Sequence, residues 1–150
     1  MFWAGIVGKK LVGPYKLPEG VNITSEAYIS FLKKNIVPWF KRKVVLMQDG
    51  APAHSAKATK AYLSKIGFKE GRLMTWPANS PDLNPIENLW AILKRRIYAN
   101  GRQFHTKNEL WHAITDVSKN ITDSEVENLI QSVDRRLFKV IRRQGKYINI

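Results

Sequence analysis

The sequence predicts an α/β fold whose second half is dominated by helices, and three observations predict it. Residues 43–48 (K-V-V-L-M-Q) hold a continuous apolar run of strand length, the mark of a strand covered on both faces. A helical pattern and a second short strand, residues 72–76, follow it. Strand, helix and strand in that order, with roughly 20 residues between the strands, give a parallel pair joined by a right-handed crossover. From Asn84 onward, successive stretches open on helix-start signals and continue with apolar residues at helical spacing.

The elements follow in order. Residues 1–8 read as a short buried strand, and residues 10–17 as a second extended piece or a turn, with Gly13-Pro14 as breaker. Thr24 and Ser25 are N-cap types for a helix reaching about Val37; Tyr28, Ile29, Leu32 and Ile36 form its apolar face, and Pro38 ends it. Asp49 stands directly after the apolar run. Residues 50–53 make a loop and residues 55–66 a helix, closed by Gly67 in the left-handed position past its end. Residues 79–85 form a turn-rich connector in which Asn84 caps the next helix and Pro85 takes its first position, where a missing N–H costs nothing. That helix runs to about Tyr98, with Ile86, Leu89, Trp90, Leu93 and Ile97 on one face. Two more helices open on capping boxes, Thr106-x-x-Glu109 and Thr122-x-x-Glu125, and residues 134–143 continue as helix.

Charge and composition narrow the partners. The 150 residues carry 25 Lys and Arg against 12 Asp and Glu, a net charge of +13. Such a field attracts polyanions: DNA, RNA or an acidic membrane surface. The plainer reading is a solvated basic surface. With 44% hydrophobic residues the chain can fill a core. The absence of cysteine excludes disulfides and thiolate zinc sites, and His54, His105 and His112 follow no zinc-ligand pattern. Lys9 and Lys10 cut the apolar opening short of a signal sequence or membrane span, so no membrane partner is expected.

The chemistry centres on two acids. Asp49 ends a strand, and crevices of α/β sheets lie at the carboxyl ends of strands. Glu87 lies 38 positions on, one turn into a helix entered through a proline-rich loop. A crossover helix and a strand separate them, which lets both carboxylates meet at one sheet edge. Two carboxylates that close stay ionised only with a cation between them, and an oxygen-only donor set points to Mg²⁺ or Mn²⁺. The plainer readings are a turn or capping role for Asp49, and for Glu87 the acid of an Asn84-x-x-Glu87 capping box.

The segments V-L-M-Q-D-G-A-P-A-H (residues 45–54) and W-P-A-N-S-P-D-L-N-P-I-E-N-L-W (residues 76–90) resemble the second and third acid motifs of mariner-superfamily transposases. Residues 1–7 resemble that family's third strand and residues 26–40 the helix after it. The resemblance implies a ribonuclease-H-like fold of the integrase and transposase kind, one partial catalytic domain with its core at about residues 1–100 and C-terminal helices at about 101–150. It implies metal-dependent cleavage and strand transfer on DNA, with Asp49 bridging two ions and Glu87 binding one. Lys94, on the face of Glu87, together with Arg95 and Arg96, then contacts the DNA backbone; the plainer reading is a solvated helix face. His54 either orients a phosphate or Asp49, or packs at a helix start. Asp82 ties the S-P-D-L-N-P loop through nearby N–H groups, and Asn84 supports it. A homodimer or another transposase protomer is the implied protein partner, and the nucleus the implied location.

One feature departs from the family pattern. The first acid belongs on a central strand upstream, and the only carboxylates before Asp49 are Glu19 and Glu26, neither of which matches. The sheet is therefore expected to lack its first strands, and the chain alone to be inactive. The alternative is a transposase-derived DNA-binding fragment without catalysis.

Overall fold

The computed structural model describes residues 1–17, 23–40, 44–69, 71–74, 76–77 and 80–148. Glu19, Lys43, Thr75 and Asn79, on which parts of the sequence reading fall, lie outside the described residues. The chain divides into two compact units, one of Met1–Glu19 with Pro81–Ile150 and one of Gly20–Ser80.

The first unit is a hairpin and three helices. Strands β1 (Phe2–Val7) and β2 (Lys10–Lys16) pair antiparallel, with an irregularity between Trp3 and Gly5. A Cβ at Gly5 would stand 2.7 Å from the Trp3 ring, so only glycine lets that indole lie across the strand. β1 was expected to be buried, yet its six residues are only half-buried: a hairpin ribbon has one face for the core and leaves the other toward solvent. The 10–17 stretch resolves as strand, with Gly13-Pro14 inside it rather than ending it.

Helix α4 (Pro85–Ile97) has the predicted bounds and apolar face. Leu89, Leu93 and Ile97 are buried with Ala113 and Ile114 of α5 (Lys107–Lys119), while Phe2, Ile6 and Leu11 of the hairpin pack on the same cluster. Phe2 stacks on Trp111 with ring centres 5.3 Å apart. Thr106 caps α5 by accepting the Glu109 N–H, and Glu109 accepts from His105 N–H, which lowers its carboxyl pKa. Helix α6 (Asp123–Arg142) opens on a full capping box between Thr122 and Glu125.

The second unit is built on α1 (Ser25–Phe31), capped by Thr24 as expected. It departs from the expected uniform helix to Val37. The chain widens into a π-helical turn at Leu32–Ile36 and tightens into a 3₁₀ turn at Val37–Trp39 that takes in Pro38. A proline ring collides with the carbonyl four residues back, and here Val37 N–H reaches back five residues to Leu32. Tyr28, Leu32 and Ile36 are buried.

The predicted 55–66 helix is α3 (Lys57–Lys65), and a separate single turn, α2 (Pro52–Ser55), begins inside the stretch predicted as loop; Ala56, extended, divides the two. Past α3, Gly67 N–H bonds Ser64 O and Phe68 N–H bonds Leu63 O. This ending needs a left-handed residue between them, and Gly67 has φ +97°.

The parallel pairing of residues 43–48 with 72–76 is present in direction and much reduced in extent. It is a single bridge, Leu46 to Leu73, made by Leu46 N–H to Arg72 O (2.8 Å) and Met74 N–H to Leu46 O (2.9 Å). Val45 and Met74 stay about half exposed. An apolar run is covered on both faces only where layers on each side supply the cover, and among the described residues none does so at these two positions. The Arg72 guanidinium braces the bridge by donating to Val44 O and Gly67 O.

Candidate metal-binding and DNA-contact residues

Asp49 follows the bridge by three residues, in a loop pinned from several sides. Its Oδ1 accepts the Ala51 N–H at 3.1 Å, an Asx-type turn, and lies 2.6 Å from His54 Nδ1. That contact is a hydrogen bond with the imidazole proton on Nδ1. No hydrogen bond reaches Oδ2 among the described residues, and the side chain is 53% exposed. One carboxylate oxygen is therefore fixed and the other is open.

His54 is itself held. Its ring lies 4.4 Å from the Tyr28 ring, and its carbonyl accepts from Gln48 Nε2 at 3.2 Å. Tyr28 in turn donates its hydroxyl to Gln48 Oε1 at 3.2 Å. The hydroxyl of fully buried Thr59 donates to Ala53 O at 2.7 Å, tying the loop to α3. Sequence reasoning missed Gln48 and Tyr28 as supports. The available signal was Gln48, a polar residue closing an apolar run directly before the acid.

Glu87 sits half-buried in the first turn of α4. Asn84 caps that helix, its side-chain oxygen accepting Ile86 N–H at 3.2 Å. The capping-box reading of Asn84-x-x-Glu87 placed that oxygen on the Glu87 N–H instead; the Glu87 N–H goes to the Asn84 carbonyl. Just upstream, Pro81–Leu83 forms a 3₁₀ turn. Asp82 within it is buried and accepts the N–H of Ile148, 66 positions away, rather than a nearby one. Arg136 donates to the Asp82 carbonyl at 2.9 Å. Burial lowers the pKa of Arg136 and the Asp82 charge partly offsets it. The turn that leads into α4 and Glu87 is thus anchored by residues near the far end of the chain.

Lys94 and Arg95 are exposed in the last turn of α4. Arg96 is half-buried and forks onto the Glu125 carboxylate through both Nη atoms. The Thr122 N–H and then Arg96 hold the Glu125 carboxyl below the ordinary range. Asp49 and His54, brought together, belong to the Gly20–Ser80 unit; Asp82, Asn84, Glu87, Lys94, Arg95 and Arg96 belong to the other. Among the described residues no three His, Cys, Asp or Glu side chains cluster to hold an ion. No described helix is long and apolar enough to cross a membrane.

Comparison with known proteins places these residues in a family. The DDE superfamily endonuclease family matches residues 19–111, which contain both motifs. The Tc3 transposase of Caenorhabditis elegans is 34% identical over 151 residues, covering 99% of this chain and 45% of that protein. The Tcb1 transposase of Caenorhabditis briggsae is 30% identical over 149 residues, covering 97% of this chain and 52% of that protein. The chain spans about half the length of these transposases. Among solved structures, the catalytic domain of Mos1 mariner transposase superposes with a TM-score of 0.79 at 18% identity, covering 97% of this chain and 74% of that one. Mos1 catalytic domain with raltegravir and Mg superposes at 0.80, with 19% identity and coverage of 97% and 75%. That likeness establishes a shared ribonuclease-H-like fold, here with a two-stranded sheet and many helices. The chain belongs to the DDE superfamily endonuclease family.

Proposed function

We propose that the chain is part of a DNA transposase catalytic domain that cleaves and rejoins phosphodiesters with Mg²⁺ or Mn²⁺ held by Asp49 and Glu87. The observation that carries this is Asp49: one oxygen fixed by Ala51 and His54, the other open, in a segment matching the family. Two hard carboxylates in a chain without cysteine suit such cations. Mos1 catalytic domain has been solved with Mn and with Mg, and Mos1 itself in a paired-end complex and a strand transfer complex. When bound, such ions supply the positive charge that stabilises attacking and leaving oxygens at phosphorus.

The protein's own groups do the rest. Ala51 and His54 fix the direction in which Asp49 presents its free oxygen. Asn84, Pro85 and the Asp82 anchor set the start of α4 and with it Glu87. Lys94 and Arg95 reach DNA phosphates and displace counterions, while Arg96, joined to Glu125, adds to the positive field. Residues 1–150 act as one partial domain, with its core at about 1–100 and C-terminal helices at about 101–150. A second transposase protomer is the partner, and the nucleus follows from the substrate.

Purified 150-residue chain, supercoiled plasmid and Mn²⁺ test the reading. Little or no cleavage is expected, because neither Glu19 nor Glu26 matches a first acid, and robust cleavage abolished by Asp49→Ala would refute that expectation. The second reading, a non-catalytic DNA-binding fragment, draws on the +13 charge and on the lack of a three-acid cluster among the described residues. It predicts DNA affinity indifferent to Asp49→Ala, with log affinity falling about 0.9 per phosphate contacted for each tenfold rise in salt. Binding that ignores salt would count against it.

A further inference from the structure

Tyr28 lies outside both acid motifs, on α1, and is 4% exposed. A buried phenol must spend its hydroxyl on a partner, and a side chain kept only for packing would carry none. Here the hydroxyl donates to Gln48 Oε1 at 3.2 Å. The Gln48 amide has one orientation open to it. The His54 carbonyl can only accept, so Nε2 faces it, at 3.2 Å, and Oε1 is left for Tyr28. The phenol ring itself lies 4.4 Å from the His54 imidazole and 6.5 Å from Phe31. One side chain therefore holds His54 twice, at its ring directly and at its backbone through Gln48.

Gln48 and Asp49 are neighbours in the chain and reach His54 from opposite ends, the amide at its carbonyl and the carboxylate at its ring. The loop between them has ties of its own, Ala51 N–H on Asp49 Oδ1 and Thr59 Oγ1 on Ala53 O. Its path therefore does not hang on the phenol. What the phenol settles is the setting of the imidazole, and with it which Asp49 oxygen is engaged and which is open.

We propose that Tyr28 is a positioning residue for Asp49, acting through Gln48 and His54 to hold Oδ1 and leave Oδ2 free for a divalent cation. The inference rests on the metal reading of Asp49 and extends it to a residue 20 positions before Gln48. Groups that orient a ligand without touching the ion tune its affinity through the ligand's direction. A chain of hydrogen bonds passes on the loss of any member.

Tyr28→Phe removes the hydroxyl and keeps the ring; Gln48→Met removes the amide and keeps the length. In the metal-free chain, nitrogen NMR of the His54 ring reports which nitrogen holds the proton. The native chain should hold it on Nδ1, facing Asp49, and either variant should let it spread to Nε2. Mn²⁺ affinity, read from the paramagnetic resonance of the free ion, should fall several-fold and up to about tenfold in each variant. The double variant should lose little more than either, because both act along one route. Phe68→Leu controls for stability: Phe68 is buried against Phe40 in the same unit, and its change should lower the melting temperature and alter neither reading. A His54 proton or a Mn²⁺ affinity unmoved by Tyr28→Phe would overturn the proposal, as would both moving equally with Phe68→Leu. Mn²⁺ affinity indifferent to Asp49→Ala would instead overturn the metal reading beneath it, a result read in a variant that leaves Tyr28 and Gln48 intact.

Discussion

Thr122 and Glu125 exchange hydrogen bonds at the start of α6, and the same carboxylate receives Arg96 from α4, so one side chain serves a helix cap and a tertiary tie. Glu125→Gln should lower unfolding free energy by about 1 kcal/mol at neutral pH, as measured in urea. The carboxyl is lowered in the folded state, so its contribution is present above the ordinary value of 4.5 and lost as pH falls through the lowered one. The gap between wild type and variant should therefore close in acid; a gap that persists well below pH 4.5 would contradict the assignment. The capping box was legible in sequence because both partners lie within four residues. Arg96 on Glu125 was not, because 29 positions separate them and nothing local distinguishes Arg96 from Lys94 and Arg95. The support of Asp49 divides in the same way. His54 is five residues off and could be weighed, whereas Tyr28 reaches Gln48 across 20 positions. His54→Ala should weaken Mn²⁺ binding by tenfold or more, as loss of a group that orients a ligand does; unchanged affinity in a Mn²⁺ titration would show that Asp49 needs no such support.

The helices of the second half were readable because each carries its own start signal and period. Helix α4 is the strongest instance: Asn84, Pro85 and the Leu89, Leu93, Ile97 spacing specify its start, its direction and its buried face. Leu93→Ala should cost about 2–5 kcal/mol, because Leu93 is 1% exposed in the cluster shared with α5. A loss under 1 kcal/mol in chemical denaturation would mean that the cluster is not the core of its unit. Strands were less legible. The 43–48 run predicts a covered strand, yet pairing depends on partners elsewhere in the chain, and the described residues give it one bridge. The sequence predicts a helix opening at Thr122, with residues 134–143 continuing as helix, and α6 runs unbroken over Asp123–Arg142. That Ile130, Leu137, Phe138 and Ile141 stay exposed while Val126 is buried becomes visible only in the structure.

At the scale of the molecule, a net charge of +13 suits the polyanionic substrate proposed for it. The central proposal is narrower, namely that Asp49 and Glu87 serve one divalent-ion site. Mn²⁺ titration followed by electron paramagnetic resonance of the free ion, on wild type, Asp49→Ala, Glu87→Gln and the double variant, tests it most directly. If the two acids share a site, each single change lowers affinity about tenfold or more and the double variant loses little beyond either. Losses that simply add, or affinity that neither change disturbs, would contradict it.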